Sequence, residues 1–137
     1  MFSGTSLFTA TRLSIIDTDN IRFLRVSANL GNDYNSSSGV FTCRIPGLYW
    51  FSASITKNYS ENVGQTYCYI IINGSQNLMM WHNERDVVHT TFSMTASGGF
   101  HLNRGDRVQV GDCFNPGFLH SGSMYSYFSG VLIKPDV

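Results

Sequence analysis

The chain is written in a period of two. From Gly47 to Thr56, in GLYWFSASIT, Tyr49, Phe51, Ala53 and Ile55 share one side of an extended backbone, and Leu48, Trp50, Ser52 and Ser54 share the other. Comparable alternation returns roughly every eight to twelve residues, and no window of helical length carries apolar residues at three-and-four spacing. A chain limited to short alternating segments cannot build helical layers and has to stack sheets.

The alternating segments are Leu7 to Arg12, Phe23 to Asn29, Val40 to Arg44, Gly47 to Thr56, Thr66 to Ile72, Asn77 to Trp81, Val88 to Met94, Gly99 to Leu102, Arg107 to Cys113 and Tyr125 to Ile133. Between them LGNDYNSSSG, INGSQN, TASGG, NRGD and FNPG gather Gly, Asn, Ser and Pro, and each of these supplies turn geometry. Pro46-Gly47 separates two strands, because Pro cannot donate to a ladder. About ten short antiparallel strands with long loops at one end predict an all-β sandwich, a ten-stranded jelly roll.

A length of 137 residues fits a single domain, 1–137, with no visible linker. Nine acidic residues balance nine basic ones, so no field of one sign is available to gather nucleic acid or an anionic membrane surface. The longest apolar runs are short, as in YIII at Tyr69 to Ile72, which excludes a membrane-inserting helix. The start, MFSGTSLFTATRLS, has no basic segment followed by a long apolar run, so no signal peptide is expected within it.

Phe23, Asn29, Tyr34, Phe41, Gly47, Tyr49 and Phe51 fall at the intervals of a known signature, and the chain thereby resembles the globular head domain of complement C1q. Ala53 departs from it, standing where that family has Phe or Tyr. FTATR from Phe8, LNRGDRVQV from Leu102 and YFSGVLIKPD from Tyr127 resemble the family's first strand, late Gly-Asp turn and closing strand. The resemblance implies a jelly roll of the C1q/TNF type, a homotrimer, secretion into the extracellular space, and recognition without catalysis. It is compatible with a collagen-free, lectin-like member used in pattern recognition and innate immunity.

Within that frame Trp50 suits contact with a neighbouring protomer; the alternative is an indole under a loop of its own chain. In the closing strand Tyr125, Tyr127, Val131 and Ile133 alternate with Met124, Phe128, Gly130 and Leu132, so both faces are apolar, and the sequence leaves open which row meets the trimer axis. Of three cysteines, Cys43 and Cys68 occupy positions resembling an internal bridge found in some heads of the family. Joined, they would close a loop of roughly 26 residues, worth about 3 kcal/mol in the chain-entropy model, and leave Cys113 free or intermolecular. The competing reading is three buried thiols. Asn35-Ser36-Ser37, Asn58-Tyr59-Ser60 and Asn73-Gly74-Ser75 are glycosylation sequons, consistent with secretion.

No enzyme is read here. Asp17, Asp19, Glu84, Asp86, Asp106 and Asp112 include no pair that sequence places across a cleft, and His82, His89, His101 and His120 lack metal-ligand spacing. No cofactor is indicated. Asp17-Thr18-Asp19-Asn20 offers the oxygen ligands calcium takes, and equally reads as a solvated turn.

Binding remains, and the loops supply its chemistry. Trp81, His82, Asn83, Glu84 and Arg85 are consecutive; an indole stacks on the apolar face of a sugar, Asn, Glu and His read hydroxyls, and a guanidinium pairs with a carboxylate. The alternative is a strand with Trp81 in the core. Tyr59 and Ser60 in KNYSEN, and His120 and Tyr125 in FNPGFLHSGSMY, are further candidates for the same glycan site. Arg85 is the cation expected to hold an acidic sugar such as sialic acid. Two functions compete: a multivalent lectin for glycans or glycoproteins, and a protein-binding signalling or assembly module without glycan specificity.

Overall fold

The computed structural model describes residues 4–57, 65–83, 92–116, 119 and 125–137. Ten strands follow in order: β1 (Leu7–Asp17), β2 (Asn20–Leu30), β3 (Tyr34–Asn35), β4 (Val40–Thr42), β5 (Gly47–Lys57), β6 (Gln65–Ile72), β7 (Ser75–Asn83), β8 (Phe92–Leu102), β9 (Arg107–Phe114) and β10 (Tyr127–Pro135). All pairings are antiparallel. One layer runs β2-β1-β10-β5-β8; the other runs β3-β4-β9-β6-β7. A single register pair, Ile21 with Val110, joins β2 to β9 and makes the two layers continuous at one side. The expected all-β jelly roll is the fold observed.

Period-two alternation places the core as read. Tyr49, Phe51, Ala53 and Ile55 of β5 are fully buried, as are Phe8, Ala10, Phe23 and Phe128 from the same layer and Ile70, Met80, Val108 and Val110 from the facing one. The signature rings meet inside: Tyr34 stacks on Phe8 of β1 with ring centroids 4.7 Å apart, and Phe41 packs against both Tyr49 and Phe51. The Tyr34 hydroxyl donates to the Phe23 carbonyl at 3.1 Å and accepts from the Phe23 amide at 3.0 Å, clasping one layer to the other. Burial pushes this phenol up to about 12. Asn29 holds the turn before β3, donating to the Tyr34 carbonyl and accepting its amide. Ala53 is fully buried in register with Phe128 and Ala96.

Three expectations are corrected. TASGG is no turn: β8 continues through Thr95, Ala96, Ser97, Gly98 and Gly99, paired with β5 along eleven positions from Lys57↔Phe92 to Gly47↔Leu102. Its glycines serve close packing. A side-chain carbon on Gly98 would meet Leu78 at 3.0 Å, and one on Gly99 would meet the Trp50 indole at 3.5 Å. Second, LGNDYNSSSG contains the short strand β3, which pairs with β4.

The third correction concerns the disulfide, which joins Cys68 to Cys113 and not Cys43 to Cys68. β6 and β9 are neighbours, and their register shifts between Tyr67↔Phe114 and Tyr69↔Gly111, which brings the inward-facing Cys68 against the bulged segment of β9. Cys43 lies just before β5, at the end of the sandwich opposite the start of β6 where Cys68 sits. It is a buried free thiol that donates to the Ile45 carbonyl at 3.2 Å. Burial raises its pKa. The bridge closes a separation of 45 residues, worth about 4 kcal/mol in the chain-entropy model.

Candidate ligand-binding site

β5, β7 and β9 finish at the end of the sandwich where β6, β8 and β10 begin, and the candidate site belongs to that end. Trp81 lies two residues before the end of β7 and points outward, its side chain alternating with the fully buried Met80. It is 51% exposed, so the core reading of Trp81 does not hold. Tyr125, just before β10, is 58% exposed. His82 and Asn83 continue the β7 backbone beyond Trp81, in register with Thr66 and Gln65, and their side chains lie outside the described part of the structure. Tyr59, Ser60, Arg85 and His120 lie outside the described residues, as do Glu84 and Asp86.

Residues not singled out from the sequence complete the surroundings of Trp81. Tyr67 is its register partner on β6, and Phe114 on β9 is the register partner of Tyr67 on the opposite side. The Tyr67 and Phe114 rings stack with centroids 5.3 Å apart and planes 13° apart. Period two in QTYCYIII puts Tyr67 and Tyr69 on one face; which face, and who stands beside them, depends on the pairing of β6 with β9.

Asp17-Thr18-Asp19-Asn20 is the tip of the β1–β2 hairpin, where the Asp17 carboxylate accepts the Asp19 amide at 2.9 Å. Among the described residues no three His, Cys, Asp or Glu side chains group closely enough to hold an ion. His101 pairs with Asp136 at 3.0 Å, at the opposite end of the sandwich. There too Val26, Asn29, Asn32, Tyr34, Asn35 and Ser36 line an open cleft of about 360 Å³. Of the sequons, Asn73 has its side-chain amide engaged both ways, donating to Asp106 and accepting from the Arg107 amide, each at 2.9 Å. Asn35 accepts the Ser37 and Ser38 amides, and Asn58 lies outside the described residues.

A different surface covers the outward side of β1, β10, β5 and β8. Leu7, Val131, Trp50 and Gly99 form one rung across it, and Trp50 is 46% exposed, so the reading of an indole under a loop does not hold. The next rungs are hydroxyls bonded to one another: Thr9 with Ser129 at 3.1 Å, Ser52 with Tyr127 at 3.4 Å, and Thr95 donating to Ser54 at 3.1 Å. In β10 the Phe128 and Gly130 row faces the core, leaving the Tyr127, Val131 and Ile133 row outward.

Fold and signature thus agree on one class, an all-β jelly roll. Residues 7–133 match the family model of the C1q domain, and the chain belongs to that family. It is 30% identical over 134 residues to a human complement C1q subcomponent, covering 95% of this chain and 51% of that protein. It is likewise 30% identical over 133 residues to a bovine complement C1q subcomponent, covering 94% and 52%. The chain therefore spans about half the length of the curated relatives it matches. Among solved structures, the globular domain of a zebrafish complement 1qA protein superposes with a TM-score of 0.75 at 18% identity, covering 96% of this chain and 99% of that one. Murine APRIL superposes at 0.69 with 12% identity, covering 94% and 99%, so the two share the fold.

Proposed function

We propose that residues 1–137 form one C1q domain that acts outside the cell as a homotrimeric, non-catalytic recognition module, binding glycans at the loop end of the sandwich. The observation that carries the ligand assignment is the exposure of Trp81 at that end, beside the stacked Tyr67 and Phe114 rings, since a large amphipathic ring left in water is costly unless it meets a partner. Tyr59, Ser60, His82, Asn83, Arg85 and His120 complete the proposed site. Arg85 is its cation for a sialic acid carboxylate. The outward face of β10 and β5 supports the trimer: a copy packed against it would cover Leu48, Trp50 and Ile133 while the hydroxyl rungs keep one another satisfied. The Cys68–Cys113 bridge supports secretion, because disulfides persist in oxidising compartments.

A glycan array probed with the intact protein, with and without a calcium chelator, tests the ligand class. Retention of sialylated glycans, lost by at least tenfold in Arg85→Ala with the oligomer intact, is the expected result. Silence on every sugar at high multivalency overturns it and leaves the protein-binding module as the function. Sedimentation equilibrium giving a monomer mass at micromolar concentration would overturn the trimer.

A further inference from the structure

The geometry points to a neutral-sugar subsite centred on Trp81: the outward face of β7, β6 and β9 at the loop end is a stacking platform for pyranose units. The inference rests on the glycan-binding reading and extends it to a place and a sugar class that the loop residues do not specify. Trp81, Tyr67 and Phe114 are directly opposed across three adjacent strands, and opposed residues of antiparallel strands project from the same face with side chains in contact range. They make one aromatic rung. Tyr69 stands edge-on to Tyr67, with centroids 5.8 Å apart and planes at 79°, and its own register partner is Met79. Phe114 and Met79 are 44% and 43% exposed.

Three features make the platform fit a neutral sugar. The first is rigidity: the Cys68–Cys113 bridge lies on the opposite, inward side of β6 and β9, between the residues that carry Tyr67, Tyr69 and Phe114. Rings held by a crosslinked sheet lose little freedom on binding. The second is charge. Carboxylates stand beside this part of β9: Asp112, held by the Gln76 amide at 3.0 Å, and Asp17 and Asp19 on the hairpin tip, where the Thr18 and Asp19 carbonyls accept the Cys113 and Asp112 amides. An acidic margin repels sialylated or sulfated sugars and accepts hydrogen bonds from neutral hydroxyls. The third is size. Large side chains of about 150–250 Å², half exposed or less, leave on the order of 400 Å², half of the roughly 800 Å² that each partner of a standard protein interface buries. Flat ring faces on that scale suit the C–H face of one or two pyranoses.

Trp50 and Trp81 are the two tryptophans, so in the intact Trp50→Phe chain Trp81 is the sole indole reporter. Lactose, chitotriose and 3′-sialyllactose are titrated against it by fluorescence, and the same sugars on polyvalent beads measure retention. The expected result is a saturable change in Trp81 emission with lactose or chitotriose, and at least a tenfold loss of bead retention in Trp81→Ala and in Phe114→Ala, with thermal unfolding unchanged in both. Neutral sugar retained in full by both variants overturns the platform and leaves the lectin reading standing. Binding of 3′-sialyllactose alone does the same in favour of the Arg85 site. No binding to any of the three, with an array also silent, overturns both readings.

Discussion

On the outward side of β5 and β10, Trp50 stands beside Val131 and over Gly99, and the rungs above it are hydroxyls bonded to each other. On the outward side of β6, β7 and β9, Trp81 stands beside Tyr67, and the next ring along is Phe114. The two indoles are almost equally exposed, at 46% and 51%, so exposure does not separate their roles. Their neighbours do. Small side chains with satisfied hydroxyls leave a smooth sheet that a second copy can approach closely, whereas clustered rings on a crosslinked pair of strands stand as a discrete patch. The first arrangement favours self-association and the second favours a small ligand.

A charge placed on each face should break this contrast most sharply. Trp50→Glu would bury like charges between copies and is expected to convert the proposed trimer to monomers in sedimentation equilibrium, while Trp81→Glu leaves the mass of the parent assembly unchanged. The reverse pattern would exchange the two assignments. The bridge beneath the aromatic face comes next: the double variant Cys68→Ala with Cys113→Ala should lose about 4 kcal/mol in denaturant unfolding. Hydrogen exchange should then rise first in β6 and β9.

The core shared by both faces offers a third, smaller test. Tyr34 joins the layers through Phe23, and its phenol is raised from 10.0 to about 12. A phenol raised by burial stays neutral in the folded chain after the unfolded chain has begun to ionise. Its contribution is therefore intact below about pH 10 and is lost as the pH climbs toward 12, by on the order of 2 kcal/mol. Stability measured from pH 9 to pH 11 should fall less steeply in Tyr34→Phe than in the parent. The smallest effect is chemical: with its pKa raised by burial, Cys43 should resist a thiol reagent in the native state and give one reactive thiol per chain in denaturant without reductant. Three reactive thiols would show that the bridge is absent.

Much of the fold was readable because period two is a local property. The burial of Tyr49, Phe51, Ala53 and Ile55 follows from spacing alone, and the signature from Phe23 to Phe51 marks the family. The reading failed where strand neighbours decide the outcome. TASGG has turn-forming composition, yet eleven consecutive register pairs with β5 hold β8 extended. On β5 itself alternation predicted Ser54 outward, and it is only 7% exposed; Thr56, on the same side, donates to the Tyr125 carbonyl at 2.6 Å where the chain entering β10 crosses over. Lys57, the last residue of the strand, continues the inward row and is 1% exposed, against every expectation for a lysine.

The candidate site divides along the same line. Trp81 could be named from the residues around it, but Tyr67 and Phe114 could not, since 47 positions separate them and only the pairing of β6 with β9 makes them neighbours. The cysteines teach the same lesson. Sequence by itself determined the all-β class, the identity of the core rows and the C1q family, because alternation and signature spacing are written along the chain. Tertiary structure alone decided that Cys68 meets Cys113 and that three distant rings form one rung. Strand order and a one-residue shift in register bring together residues far apart in the chain, and neither is encoded in the spacing of any single strand.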